Sequence, residues 1–231
     1  ASSGVGQGIA IGLAQAGWNV GINYFHDEQN AKKTMEIVKE SGGRSCLLRA
    51  DVGDSGQVQS MFDTFGQEMG RLDLLVNNAG VQTWSPLLDL SEEAWDRTIR
   101  TNLKGTFLCT QQAGRRMRDD GGGCIINIGS GANKAPFPNL ADYCASKGGI
   151  ERLTVVSAVE LGPLGIRVNC VAPGCTEIER TKQEDPDYAK LWGDMTPIRR
   201  IGHVEDVANT VSFLASDAAA FIAGQTIYVD G

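Results

Sequence analysis

Six short apolar runs, each followed or preceded by a helical pattern, constrain this chain more than any other feature. They are "NVGINY" (19–24), "SCLLRA" (45–50), "LDLLVNN" (72–78), "CIINIG" (124–129), "IRVNCVAP" (166–173) and "TIYV" (226–229). Each has the length and side-chain branching of a parallel strand buried on both faces. The helices between them carry readable ends. "DSGQVQSMFDTFGQEMG" opens on Asp54 or Ser55 as a cap, and "LSEEAWDRTIR" opens on Ser91 with two acids in its first turn. The helix after "DYCASK" stops at Gly162 and Pro163. Strand and helix in repetition predict an α/β fold, a doubly wound parallel sheet with right-handed crossovers and helices on both faces. At 231 residues the chain suits one such domain, 1–231, better than two small ones.

Composition narrows the partners. A net charge of −7, with the acids scattered and not gathered into a tail, argues against nucleic acid or an anionic membrane. The six cysteines (Cys46, Cys109, Cys124, Cys144, Cys170, Cys175) form no CxxC pair and sit mostly in apolar runs, as structural thiols of a reducing compartment do. The two histidines, His26 and His203, lack metal-ligand spacing, so no metal is expected. No apolar run approaches a membrane span and no signal peptide leads the chain, so a soluble cytoplasmic protein is expected.

The opening "ASSGVGQGIAIGLAQAG" places Gly4, Gly6 and Gly8 before an apolar helical pattern (Ile9, Ala10, Leu13, Ala14). Such glycines allow a tight turn and let a phosphate approach the N–H groups of a helix N-terminus. In a doubly wound sheet a central strand precedes this turn, and without it two neighbouring strands lack a partner. The sequence therefore reads as clipped at the first strand, with its end just after "YVDG" open to the same reading, and such a chain is expected to fold poorly.

In "DYCASKGG" (142–149), Tyr143 and Lys147 lie four apart, on one face of a helix. An ammonium group beside a phenol favours the phenolate, which suits a general acid or base at an alcohol or carbonyl. Ser130 ends the strand "CIINIGS" at the carboxyl edge, where open α/β sheets place their ligands. "NNAG" (77–80) and "PG" (173–174) end two more strands at that edge, and Asn102 interrupts the helix "WDRTIRTNLKGTFLC".

Together these residues resemble the short-chain dehydrogenase/reductase family over almost the whole chain. "ASSGVG", "ADV" (50–52), "NNAG", "NLKG", "GS", "YCASK", "IRVNCVAPG" and "YVDG" stand in family order, and the thirteen-residue step from Ser130 to Tyr143 is the family's usual spacing. The resemblance implies a Rossmann-type fold and hydride transfer on a nicotinamide cofactor. Tyr143 would exchange a proton with the substrate oxygen and Ser130 would hydrogen-bond it. Lys147 would favour the phenolate and hold the nicotinamide ribose, and Asn102 would bind a water of the proton relay. It also implies cofactor contacts from Ser3, Gly4, Val5 and Gly6 at the pyrophosphate turn, Asp51 and Val52 around the adenine, and Asn78, Ala79 and Gly80 at its ribose. Pro173 and Gly174 would lie near the nicotinamide. Asn77 and Arg167 read as structural. Many members place Thr where this chain has Ile178, and Thr176 is the substitute at hand.

An acid at the end of the second strand of such a fold selects NAD, and a basic residue selects NADP. Here Asn23, Tyr24, Phe25 and His26 stand there, with no acid until Asp27, and Ser3 occupies the turn position that is basic in many NADP-preferring relatives. Use of both NAD and NADP, leaning to NADP, is expected. The likeness is to the branch of glucose 1-dehydrogenases and 3-oxoacyl-carrier-protein reductases. Gln82, Thr83, Trp84, Asn133, Lys134, Phe137 and the segment 176–195 are candidate pocket residues, and the polar set Gln82, Asn133 and Lys134 favours a polyhydroxy substrate over an acyl chain. A 3-oxoacyl reductase and a non-catalytic cofactor sensor are the alternatives. A serine hydrolase is excluded, because neither histidine can serve Ser130 as a base. Apolar residues left over on the helices of 91–116 and 142–162 (Phe107, Val155, Val159), with the family resemblance, imply a homotetramer.

Overall fold

The computed structural model describes residues 1–184 and 186–231. In chain order its elements are α1 (Gly4–Gln15), β1 (Val20–Tyr24), α2 (Glu28–Glu40), β2 (Ser45–Arg49), α3 (Ser55–Met69), β3 (Leu74–Asn77) and α4 (Glu92–Thr98). A π-helical turn, Ile99–Lys104, joins α4 to α5 (Gly105–Asp119). There follow β4 (Gly123–Ile128), α6 (Ala141–Leu161), β5 (Ile166–Pro173), α7 (Glu179–Glu184), α8 (Tyr188–Met195), α9 (Val204–Ala215) and β6 (Thr226–Val229). All six expected strands form and every pairing is parallel.

Helix starts follow the capping residues. Asp27 accepts the Asn30 N–H, Asp54 the Gln57 N–H and Ser91 the Ala94 N–H, each satisfying a donor that its helix leaves orphaned. Glycines serve the stops: Gly70 after α3 and Gly165 after the 3-10 turn that closes α6 both have φ near +80°, where other residues are strained.

The pleat sends alternate residues of β4 to opposite layers. Cys124, Ile126 and Ile128 join Ile9, Leu13, Val207, Val211 and Leu214 in the layer under α1 and α9. Ile125 joins Val58, Phe62, Cys109 and Met117 in the layer under α3 and α5. This two-sided burial is what the near-continuous apolar runs require.

The strands form two sheets, β1-β2 and β3-β4-β5-β6. Between β1 and β3 lies a cavity of about 550 Å³. Val20, Gly21 and Asn23 line one side and Leu74 to Asn77 the other, with Ile9 and Leu13 on one face and Met61, Phe62 and Phe65 on the opposite face. β1 and β3 thus each turn an edge without a strand partner toward this cleft, whose lining also holds the polar Asn23, Arg71, Asp73 and Asn77. The cleft reaches the glycine turn, with Gly6, Asn78 and Ala79 in its lining, and the candidate catalytic side chains lie beyond it, at the carboxyl end of β4 and on α6.

Candidate active site

β4 delivers Ser130 two residues beyond its last paired residue, and the serine caps a short 3-10 turn over Gly131–Asn133. Its Oγ accepts the Ala132 N–H at 3.1 Å. An acceptor position is thereby filled while the hydroxyl proton stays available for another oxygen. Gly131 marks a close approach of the ends of β4 and β5: a Cβ there would stand 3.3 Å from Gly174 Cα and from the Pro173 carbonyl.

α6 carries Tyr143 in its first turn and Lys147 one turn later. Lys147 is 3% exposed, and its Nζ donates to the Ile128 carbonyl at 2.7 Å. The same nitrogen lies 5.6 Å from the centre of the Tyr143 ring. A buried ammonium needs partners. One donor goes to the strand carbonyl, which leaves two for other acceptors near the phenol.

Asn102 is wholly buried inside the π-turn. Its amide clasps Val81, accepting the N–H and donating to the C=O, both at 2.8 Å, and it also donates to Ser146 Oγ at 2.9 Å. Both Nδ2 protons and one Oδ1 acceptor position are thus engaged in joining the segment after β3 to α6. A relay water at Asn102 would have to donate to the remaining Oδ1 position or to the main-chain carbonyl, which already accepts the Thr106 hydroxyl at 2.7 Å. Sequence alone suggested an interrupted helix here, and the interruption takes the form of the π-turn. Asn77, read as structural, donates to Thr110 and to Asn127, and Asn127 donates to Thr154.

A dinucleotide fits the glycine turn. Gly4 has φ +57°, and a Cβ on Gly6 would stand 2.4 Å from Asn78 Nδ2. Ser3, the N-cap of α1, makes no side-chain capping bond, so its hydroxyl does not compete for the first N–H groups of that helix. Asp51 gives one oxygen to the Gly53 N–H at 2.9 Å and the other to the Arg100 guanidinium at 2.7 Å, and Val52 is buried beside it. Gly174 binds back to the Val229 carbonyl, fixing the Pro173-Gly174 corner.

Several expected contacts sit differently. The Asn23 amide donates to the Leu48 and Ala50 carbonyls, at 3.0 and 3.2 Å, and so bridges β1 to β2. Tyr24 packs against the apolar core under α1 and α2. Thr176 is buried and turns its hydroxyl onto the Gly174 carbonyl at 3.2 Å, while Ile178 comes within 3.6 Å of where a Gly4 side chain would start. Lys134 pairs with Asp230 at 3.4 Å and lies over the Tyr228 ring. Trp84 is 62% exposed and does not pack its loop. Phe137 meets Trp192 edge to face at 5.3 Å, with Tyr188 6.2 Å from the same indole. Of the candidate segment 176–195, Asp185 lies outside the described residues. Sequence reading missed Ser146, Val81 and the Ile128 carbonyl. Two of these act through the backbone, and no residue type signals that.

The family model described as enoyl-(acyl carrier protein) reductase matches residues 1–231. A 3-oxoacyl-[acyl-carrier-protein] reductase of Staphylococcus aureus is 40% identical over 231 residues, covering 100% of this chain and 94% of that protein. The 3beta-hydroxysteroid dehydrogenase 1 of Eggerthella lenta is 38% identical over 233 residues, covering 100% and 89%. Among solved structures, a candidate short-chain alcohol dehydrogenase from Sinorhizobium meliloti 1021 superposes with a TM-score of 0.94 at 38% identity, covering 100% of this chain and 92% of that one.

Proposed function

The chain belongs to the short-chain dehydrogenase/reductase family and is an NAD(P)-dependent oxidoreductase of small-molecule alcohols and carbonyls; from that premise we propose that Tyr143 is the acid/base of its reaction. The observation that carries this reading is the buried Lys147 ammonium, tied to Ile128 and held beside the Tyr143 ring. Bound at the glycine turn, the dinucleotide supplies hydride donation and acceptance. In the reducing direction the Tyr143 hydroxyl gives its proton to the substrate oxygen, and in oxidation the phenolate takes it back. Ser130, with its acceptor side filled by Ala132, donates its hydroxyl to the same oxygen and stabilises charge as it develops. Lys147 has donors left for the phenolate and for a ribose hydroxyl. Asn102 holds the π-turn and the segment after β3 in place around them.

Ser3, Gly4, Val5 and Gly6 would cradle the pyrophosphate, Asp51 and Val52 the adenine, and Asn78, Ala79 and Gly80 the adenine ribose. Pro173, Gly174 and Thr176 would face the nicotinamide. Dual use of NAD and NADP leaning to NADP is supported by the end of β1, where no acid is free to bond a 2′-hydroxyl: Asp27 caps α2 and bonds Asn30. A sugar or other polyhydroxy alcohol remains the first substrate reading, supported by Asn133, whose two amide atoms are buried without a partner. The Phe137, Tyr188 and Trp192 cluster favours the second, a 3-oxoacyl-type ketone with an apolar tail. A homotetramer is supported by Phe107 and Val159, exposed on α5 and α6. A single domain in the cytoplasm completes the proposal. Among the described residues no helix is long and apolar enough to cross a membrane.

The test is Tyr143→Phe, assayed with both cofactors against a panel of ketones, 3-oxoacyl thioesters, alcohols and sugars. Turnover is expected to fall about 10²- to 10⁴-fold with dinucleotide affinity, read by fluorescence titration, nearly unchanged. Retention of more than a tenth of the activity would remove Tyr143 from the role.

A further inference from the structure

Tyr143 is held at its own backbone by two side-chain links to one short segment, and one link uses a carboxyl group for which the proton transfer itself has no need. Asp142 is wholly buried. Its Oδ1 accepts the Tyr143 N–H at 2.7 Å and its Oδ2 accepts the Thr98 hydroxyl at 2.6 Å. Thr98, equally buried, is the last residue of α4 before the π-turn. Four residues on, Asn102 donates to Ser146 Oγ, and Ser146 donates its hydroxyl to the Tyr143 carbonyl at 2.7 Å. The N–H and the C=O of Tyr143 are each tied, through one side chain, to residues 98–102.

Local structure does not ask for an acid at this position. Alanine is the better helix former, and a carboxyl group brought into the core is costly unless hydrogen-bonded. What α6 lacks is a cap: Leu140, its N-cap, offers no side-chain acceptor, and the first-turn N–H groups have no partner within the helix. Asp142 satisfies one of them from inside the first turn and uses its second oxygen to reach α4. We propose that Asp142 is a positioning residue which, through Thr98, locks Tyr143 to the π-turn so that the phenol and the Asn102 segment keep one geometry. The proposal rests on the reading of Tyr143 as the acid/base. Its force comes from the steepness with which proton transfer falls when a reacting group is displaced by about 1 Å.

Asp142→Ala, Asp142→Asn, Thr98→Val, Thr98→Ser and the Asp142→Ala/Thr98→Val double variant test this in the full chain. Asp142→Ala and Thr98→Val are each expected to lower kcat at least about tenfold while dinucleotide affinity stays within about threefold. The double variant should be no worse than Asp142→Ala, since both remove one link. Asn and Ser should recover most of the loss: the Asn oxygen still accepts the Tyr143 N–H and its NH2 donates to Thr98, and Ser keeps the hydroxyl. In the protein without cofactor, the Tyr143 amide should exchange with solvent at least about tenfold faster in Asp142→Ala, while the Ile150 amide on the same helix is unchanged.

A kcat within twofold of wild type in Asp142→Ala overturns the proposal, as do multiplicative losses in the double variant or equal losses in kcat and dinucleotide affinity. If Asp142→Ala does not fold, Thr98→Val against Thr98→Ser decides by the same criteria. Absence of NAD(P)-linked turnover in the wild type would instead count against the acid/base reading, and the amide exchange would still test the lock by itself.

Discussion

The catalytic edge and the cleft between β1 and β3 meet the same demand, partners for buried polar groups, by different means. At the candidate catalytic edge the buried polar groups are side chains that find their partners a short reach away. Lys147 takes the Ile128 carbonyl, Asn102 takes Val81 and Ser146, and Asn77, Asn127 and Thr154 form a chain from β3 through β4 to α6. In the cleft the groups in question are the backbone edges of β1 and β3, which only another strand can satisfy in full, while apolar side chains from α1 and α3 cover them. A side-chain network is specified wherever its few residues are present, whereas a strand edge is specified by a neighbour elsewhere in the sheet. In the chain 1–231 the carboxyl ends of β4 and β5 should accordingly be more rigid than the strand edges beside the cleft.

The sharpest way to break that comparison is packing. Ile126, wholly buried in β4 with a strand on each side, should cost about 2–5 kcal/mol when cut to alanine. Leu74→Ala, beside the cleft, should cost less than about 2 kcal/mol, because its surroundings already lack neighbours. Urea unfolding measures both, and equal costs would show that the cleft is packed like core. Native-state hydrogen exchange follows: amides of Ile125–Ile128 and Val168–Ala172 should exchange about 100-fold more slowly than those of Val20–Tyr24 and Leu74–Asn77. Uniform protection across the six strands would remove the distinction.

Thiols give a smaller signal. Burial pushes Cys109, on the cleft wall, up to about 12 and Cys170, in β5, up to about 11. Cys144, half-buried beside Tyr143, should therefore react with iodoacetamide at pH 8 at least about tenfold faster than either, read by mass spectrometry. Labelling of Cys109 at the rate of Cys144 would mean that the cleft opens readily. The smallest effect belongs to an ion pair at the start of α9. Asp206 is held down to about 2, first by its hydrogen bond with Arg200. A carboxyl lowered on folding stabilises the protein above its unfolded value and ceases to do so as pH falls from about 4 through 2. The pair is solvent-accessible, so Asp206→Asn should cost under about 1 kcal/mol at pH 7 and nothing near pH 2, measured by thermal unfolding at the two pH values.

Much of the molecule was legible before its structure. The six strands and the caps Asp54 and Ser91 are local matters of period and hydrogen-bonding type, and the Tyr143–Lys147 pair is a matter of helical spacing. The site was harder to read where one residue type has two uses. Asn23 and Lys134 look like ligand contacts in a list of polar loop residues, yet one bridges two strands and the other pairs with Asp230 across the fold. Ser146 and Asp142 look like ordinary members of the first two turns of a helix, and their roles depend on α4 and the π-turn arriving alongside.

By itself the sequence determined which segments are strands and helices, that they alternate into a doubly wound sheet, and that Tyr143 and Lys147 share one face of a helix. Those facts follow from period, caps and spacing, which act within a few residues. Tertiary structure alone decided which donors are already engaged, which carbonyl receives Lys147, and how closely Gly131 lets β4 approach β5. Each of these is set by groups distant in the chain, and a hydrogen bond or a close contact exists only once both partners have been brought within about 3 Å.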